Sequence, residues 1–177
     1  KITPNFAYIH YLLGKVYAAV EDWDNAITQF RKTVYINRDD LYAHHYLGAS
    51  LAKAGQLDEA LVAYKTVLEL DPNFVYAHNA IGQIFLSKKE LDKARSQFQR
   101  AQDILPDFAE TMTGLGLVAY FEGQYGKAYE LFERAKRHKH CEEWIAYYLG
   151  HAAHKDKRFD EAVTHFSEAL KLHADIK

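Results

Sequence analysis

The chain carries ten histidines and one cysteine, the residue types that bind metals and move protons near neutral pH. His10, His44 and His78 recur at a single interval, but that interval is 34 residues, too long for one ion to bridge all three. His151 and His154 lie three apart, a helical spacing at which two imidazoles can share a ligand. His138, His140 and Cys141 crowd into one short segment. Neither group completes a recognisable four-ligand set, so these histidines read as packing residues, with no metal and no cofactor. Glycine-rich phosphate loops, a Gly-x-Ser-x-Gly elbow and a His-Glu-x-x-His run are absent from the sequence. The residues capable of chemistry are scattered, and the reading is that the chain is not an enzyme.

What the residues do share is a period. Gly14, Gly48, Gly82, Gly116 and Gly150 stand 34 residues apart, and Ala26, Ala60, Ala94, Ala128 and Ala162 follow in step. A fixed period of this length is the mark of stacked repeats. With glycine at position 8 of each unit, the repeats run 7–40, 41–74, 75–108, 109–142 and 143–176, without insertion or deletion. Residues 1–6 align with the end of a preceding repeat. Position 7 is Leu13, Leu47, Ile81, Leu115, Leu149, and position 24 is Phe30, Tyr64, Phe98, Phe132, Phe166. Within a unit the apolar steps are three and four, as in Leu47, Leu51, Ala54 and again Leu57, Leu61, Tyr64, Leu68. Ala54-Gly55-Gln56 breaks the two runs with a turn. Each unit is therefore two antiparallel helices, A over about positions 2–14 and B over about 17–31. Asp24, Asp58, Asp92 and Asp160 sit in the first turn of helix B, where negative charge meets the helix dipole. Pro72 and Pro106 stop helix B at position 32. A glycine inside a helix costs about 1 kcal/mol relative to alanine. Its use at one position in every unit implies a close approach between helices that offsets the cost. One hairpin cannot bury its own apolar face, so neighbours stack into one continuous solenoid domain.

These columns resemble the tetratricopeptide repeat, whose pattern places Leu-Gly, Ala-x3-Phe and Pro on the same 34-residue period. The resemblance spans essentially the whole chain. It departs at position 4, where the pattern's Trp is His10, His44, His78, Met112 and Ala146, and these histidines read as core aromatics half-packed against helix B. It departs again at His140, which stands where proline is expected. The segment Arg137–Glu142 is accordingly the place expected to alter a helix terminus or a stacking angle. The resemblance implies an all-α, right-handed superhelical solenoid with helix A lining a concave groove. It also implies binding of a protein or peptide partner in that groove.

In that family, positions 2, 5, 9, 12 and 13 point into the groove. Position 2 here is Tyr8, Tyr42, Tyr76, Glu110, Trp144, and position 5 is Tyr11, His45, Asn79, Thr113, Tyr147. The remaining columns contribute Lys15, Lys53, Tyr120 and Phe121, among others. Eight of these twenty-five side chains are aromatic, about twice the 14% of the whole chain. Tyrosine and tryptophan give large contact area at low entropic cost while keeping a polar tip. The expected partner-binding surface is therefore Tyr8, Tyr11, Lys15, Tyr42, His45, Lys53, Tyr76, Asn79, Tyr120, Trp144 and Tyr147. The same tyrosines could instead pack between neighbouring A helices. A carboxylate clamp of the chaperone-binding type would need Lys and Asn at positions 5 and 9, then Asn, then Lys and Arg. From the first repeat the chain offers Tyr11, Lys15, Tyr46, Tyr76 and Ala80, so a chaperone C-terminal tail is not the expected ligand.

Charge excludes other partner classes. The balance of 22 basic and 24 acidic residues, net −2, gives no footprint for nucleic acid or a membrane surface. A single cysteine, Cys141, admits no internal disulfide and suits a reducing, cytoplasmic compartment. The sequence has no initiator Met, and the expectation is a piece of a longer protein. Apolar positions late in the fifth repeat, Leu170 and Leu172, suggest self-association through an array end. The leading functional reading is a non-enzymatic protein–protein interaction scaffold. The alternatives are the substrate-recruiting or regulatory arm of a larger enzyme such as a glycosyltransferase, and a self-assembling structural unit.

Overall fold

The computed structural model describes residues 5–137 and 143–175. The His138, His140, Cys141 cluster, and the 138–142 part of the segment expected to alter stacking, lie outside the described residues. Among the described residues there are ten helices and no strand: α1 (Phe6–Ala19), α2 (Trp23–Ile36), α3 (Leu41–Lys53), α4 (Leu57–Leu70), α5 (Val75–Ser87), α6 (Leu91–Ile104), α7 (Ala109–Phe121), α8 (Tyr125–Arg137), α9 (Glu143–Lys155) and α10 (Phe159–Asp175). Odd-numbered helices take the A role and even-numbered helices the B role. The fold is an all-α helical repeat.

Helix starts are set by local chemistry. The side chains of Asn5, Asp22 and Asp40 cap α1, α2 and α3 by accepting from the backbone N–H three residues on. Asp58 and Glu59, Asp92, and Asp160 and Glu161 place negative charge in the first turns of α4, α6 and α10. Short turns join A to B, and one residue in every turn has a left-handed backbone: Glu21, Gly55, Lys89, Gly123 and Lys157, with φ between 58° and 79°. All five stand at position 15 of the repeat. Only Gly55 and Gly123 suit that conformation sterically, so the turn geometry is imposed by the packing of the two helices and not by glycine.

The chain divides into two compact units, Lys1–Ile84 and Phe85–Lys177, with the division inside α5. In the first unit α1 packs on α2, α2 on α3, and α3 on α4. Its core comprises Ala26, Ile27, Phe30, Leu47, Leu51, Tyr64 and Val67. In the second unit α6 packs on α7, α7 on α8, α8 on α9 and α9 on α10. Its core is built from Phe98, Leu115, Val118, Leu131, Phe132, Ile145 and Leu149. Helix α7 is buried on most of its circumference.

The position-8 glycines meet the position-24 aromatics. A Cβ added at Gly14 would lie 2.7 Å from Phe30, at Gly48 3.0 Å from Tyr64, at Gly116 2.7 Å from Phe132, and at Gly150 2.7 Å from Phe166. Each glycine therefore makes room for the flat ring of its own helix B. The close approach inferred from the period is between backbone and ring, a more specific contact than the helix crossing alone required.

Candidate functional site

The position-4 histidines His10, His44 and His78 are half-buried, and their hydrogen bonds add detail to the sequence reading. His44 and His78 donate from Nε2 to the carbonyls of Arg38 and Pro72, six residues back, at 2.9 and 3.0 Å. They tie helix A to the loop before it, using the polar edge of a half-buried ring. His10 reaches helix B of its own repeat, pairing with Gln29 of α2 at 2.7 Å. Among the described residues no group of three or more His, Cys, Asp or Glu side chains converges on a point. His151 and His154 face rings: His151 approaches the Tyr120 hydroxyl at 3.5 Å, and His154 packs on Phe159.

The first unit holds a continuous run of aromatic side chains. Tyr8 stacks on Tyr11, Tyr11 meets Tyr46 edge-on at 5.7 Å, and Tyr46 contacts His45 at 5.4 Å. His45 then touches Phe74 and Tyr76, and Phe74 closes the run against Tyr42. The position-2 tyrosines, Tyr8, Tyr42 and Tyr76, are 56–60% exposed. Their rings rest on a floor of Tyr11, His45, Tyr46 and Phe74, and their outer faces meet solvent. Lys15 is exposed and sits 5.5 Å over Tyr46 and 5.7 Å over Tyr11, a cation–π arrangement that keeps its charge beside the rings. Lys53 is exposed at the end of α3.

Electrostatics follow from that burial. Burial first, then the neighbouring Tyr46, push the Tyr11 hydroxyl up to about 12, so it stays a neutral donor. His45 is half-buried among Tyr46, Tyr64, Phe74 and Tyr76, and burial lowers its pKa below 6.5. It is neutral at physiological pH, and its Nδ1 is buried without a hydrogen-bond partner. Asn79 differs from the groove-lining expectation. It is buried, and its amide donates to the Val75 carbonyl at 3.2 Å, so little of it faces a ligand.

The second unit carries a separate aromatic cluster. Tyr120 and Trp144 meet Tyr148 edge-on at 5.2 and 6.2 Å, and Tyr147 tilts over His151 at 4.6 Å. Burial raises the Tyr120 pKa, as do the nearby Tyr125, Tyr147 and Tyr148. Tyr147 is exposed, whereas Tyr120 and Trp144 are half-buried. Trp144, Tyr147, Phe166, Ala169, Leu170 and His173 line a cavity of about 640 Å³. Phe74, Tyr46 and Tyr148 were not expected at these sites. Position 6, which holds Tyr46 and Tyr148, is otherwise Leu12, Ala80 and Gly114, so two aromatic rings stand out in a column of aliphatic and small residues.

No helix among the described residues is long and apolar enough to cross a membrane. A family model described as a TPR repeat matches residues 50–89, and one described as a tetratricopeptide repeat matches residues 75–108. No curated protein matches the sequence. Among solved structures, MamA from Desulfovibrio magneticus is 20% identical, with a TM-score of 0.81 over 97% of this chain and 97% of that one. A thermophilic TPR protein of Thermus thermophilus is 22% identical, with a TM-score of 0.77 over 94% of this chain and 91% of that one. A chain of the APC/C hetero-tetramer Cut9–Hcn1 is 22% identical, with a TM-score of 0.88 over 97% of this chain but 34% of that one. At such identities the likeness carries the fold. Residues 50–108 thus match tetratricopeptide-repeat models, and the ten-helix array as a whole has the fold of tetratricopeptide-repeat proteins.

Proposed function

We propose that the chain is a non-enzymatic protein-interaction scaffold that holds an extended partner segment on the aromatic face of residues 1–84. The observation that carries this reading is the exposure of Tyr8, Tyr42 and Tyr76 on three successive A helices, each held by contact with a second ring. Tyrosines that packed between A helices would be buried. These present more than half of their surface while their rings are braced from below. A braced ring gives up little rotamer freedom on binding, so contact with apolar or proline side chains is realised with small ordering cost. Lys15 and Lys53 supply positive charge for backbone carbonyls or an acidic residue of the ligand. In residues 85–177, Tyr147 with the half-buried Trp144 and Tyr120 offers a second, shorter surface of the same chemistry.

A displayed peptide library selected on the wild-type chain provides the probe. The double variant Tyr42→Ala, Tyr76→Ala is expected to bind selected peptides about 30-fold or more weakly, as two aromatic anchors each contribute about 1–2 kcal/mol. Its unfolding midpoint should stay near that of wild type, because both rings are exposed. Full affinity in a stable double variant would sink the proposal. A selection that yields no tyrosine-dependent binder would do the same.

A further inference from the structure

The exposed tyrosines of residues 1–84 fall at one place per A helix. Tyr42 and Tyr76 stand on α3 and α5, each with further repeats before and after it in the sequence. Both are more than half exposed, so the openness of this row does not depend on where the chain begins. Tyr8 holds the same position on α1. Successive A helices come into contact, as α1 and α3 do. Packed helices lie about 8–10 Å apart, axis to axis. Rings at the same position of successive A helices are therefore offset by about that distance. The ring contacts agree. Phe74 lies 6.2 Å from Tyr42 and 5.5 Å from Tyr76, so the two tyrosines are no further apart than those two steps combined.

That interval selects among ligand backbones. A β-strand returns a side chain to one face every two residues, about 6.6–6.8 Å. Polyproline II returns one every three residues at about 3.1 Å each, or roughly 9 Å. An α-helix covers a like distance only after six or seven residues, and at least one more side chain of the same stripe falls in between. Between Tyr42 and Tyr76 that intervening side chain would meet the ring of Phe74. Polyproline II points its two intervening residues away from the surface, so Phe74 is no obstacle to it.

Charge adds a second requirement. At the five groove columns, residues 1–84 carry Lys15 and Lys53 and no carboxylate. The nearby Asp40 is engaged as the cap of α3, accepting from the Ala43 N–H at 2.9 Å. Lys15 lies over the ring of Tyr11, and Tyr11 stacks on Tyr8, so the lysine charge stands beside the tyrosine row.

We infer that the partner segment is an acidic, proline-rich stretch in the polyproline II conformation, with proline at every third residue. The inference rests on the groove reading above. One proline sits on each of Tyr8, Tyr42 and Tyr76, and an acidic side chain on an adjacent face of the three-fold chain reaches Lys15. Polyproline II makes no internal hydrogen bonds, so its carbonyls are open to the tyrosine hydroxyls. The chain is already extended before it binds, so little order is lost.

The test is fluorescence anisotropy with three labelled peptides, each of five repeats: Pro-Glu-Ala, Pro-Glu-Ala-Ala and Pro-Gln-Ala. The four-residue spacing should bind at least about tenfold more weakly than Pro-Glu-Ala, because its prolines seat on only one ring at a time. The neutral Pro-Gln-Ala peptide should bind about two- to fivefold more weakly, as expected for an exposed ion pair. Lys15→Gln should erase that difference by weakening the acidic peptide alone. Lys15 is exposed, so folding should persist, and circular dichroism checks it. Raised salt should erase the same difference in the unaltered chain, which keeps the charge argument testable if the variant misfolds. A four-residue spacing that binds as tightly as three overturns the inference, and so does a neutral peptide that binds as tightly as the acidic one. If Pro-Glu-Ala fails to bind while library peptides bind in a tyrosine-dependent way, the inference falls and the groove reading stands. If no library peptide depends on the tyrosines, both fall.

Discussion

Gly116→Ala asks whether the glycine column exists to seat the position-24 rings. An alanine Cβ there would stand 2.7 Å from Phe132 Cε1, 2.9 Å from Cδ1 and 3.1 Å from Cζ. Carbon atoms at optimal contact are about 3.5–4.0 Å apart. The ring would need to retreat by close to an ångström, yet it is fully buried and stacked on Tyr148 at 5.9 Å. Overpacking of this kind costs about 1–3 kcal/mol. Alanine regains about 1 kcal/mol of helix propensity over glycine. Because the fully buried ring has no room to retreat, the steric term falls in the upper part of that range, about 2–3 kcal/mol, and the net expectation is a loss of about 1–2 kcal/mol, read as a lower urea midpoint at unchanged slope. Gly126→Ala is the control. Its Cβ would meet the Asp156 carboxylate at 3.6–4.0 Å, ordinary contact, so the propensity gain should appear as a rise of up to about 1 kcal/mol. A second check pairs Gly116→Ala with Phe132→Leu, whose combined cost should fall short of the sum because the clash is shared. If Gly116→Ala is as stable as wild type, or gains like Gly126→Ala, the ring-seating argument is refuted.

Two further outcomes follow from backbone and charge. Lys89 holds φ at 61° in the turn between α5 and α6, so Lys89→Gly should stabilise the chain by about 1 kcal/mol, while Gly55→Ala, at φ 79°, should lose a similar amount by urea titration. His45 has a folded-state pKa below 6.5, so its neutral form favours folding above that pH. As pH falls from about 6.5 through the folded value, the unfolded chain protonates first and stability drops. His45→Phe should lessen that acid sensitivity in matched denaturation curves, and an unchanged pH profile would count against burial as the cause.

The period in the sequence was enough to determine the repeat fold, because a residue recurring at the same place must meet the same surroundings in each stacked hairpin. It gave the A and B helices, their aspartate-bearing first turns and the tyrosine column. The exposure of Tyr8, Tyr42 and Tyr76 did not follow from it, since position 2 of a helix is compatible with either packing or solvent. Asn79 and His45 share a column with Tyr11, yet one bonds its own helix and another lies among four rings. A column fixes the direction a side chain leaves the backbone, while its partners come from neighbouring helices with different residues. The left-handed turn at Glu21, Lys89 and Lys157 was hidden for the same reason: no glycine marks it, and helix packing imposes it. The sequence also treats all five units as equivalent. Only the tertiary structure distinguishes the end units, because burial depends on having a neighbour, and a period carries no record of which unit has one. That is why Leu12 and Phe166 look like ordinary members of their columns, although one is exposed and the other lines an open cavity.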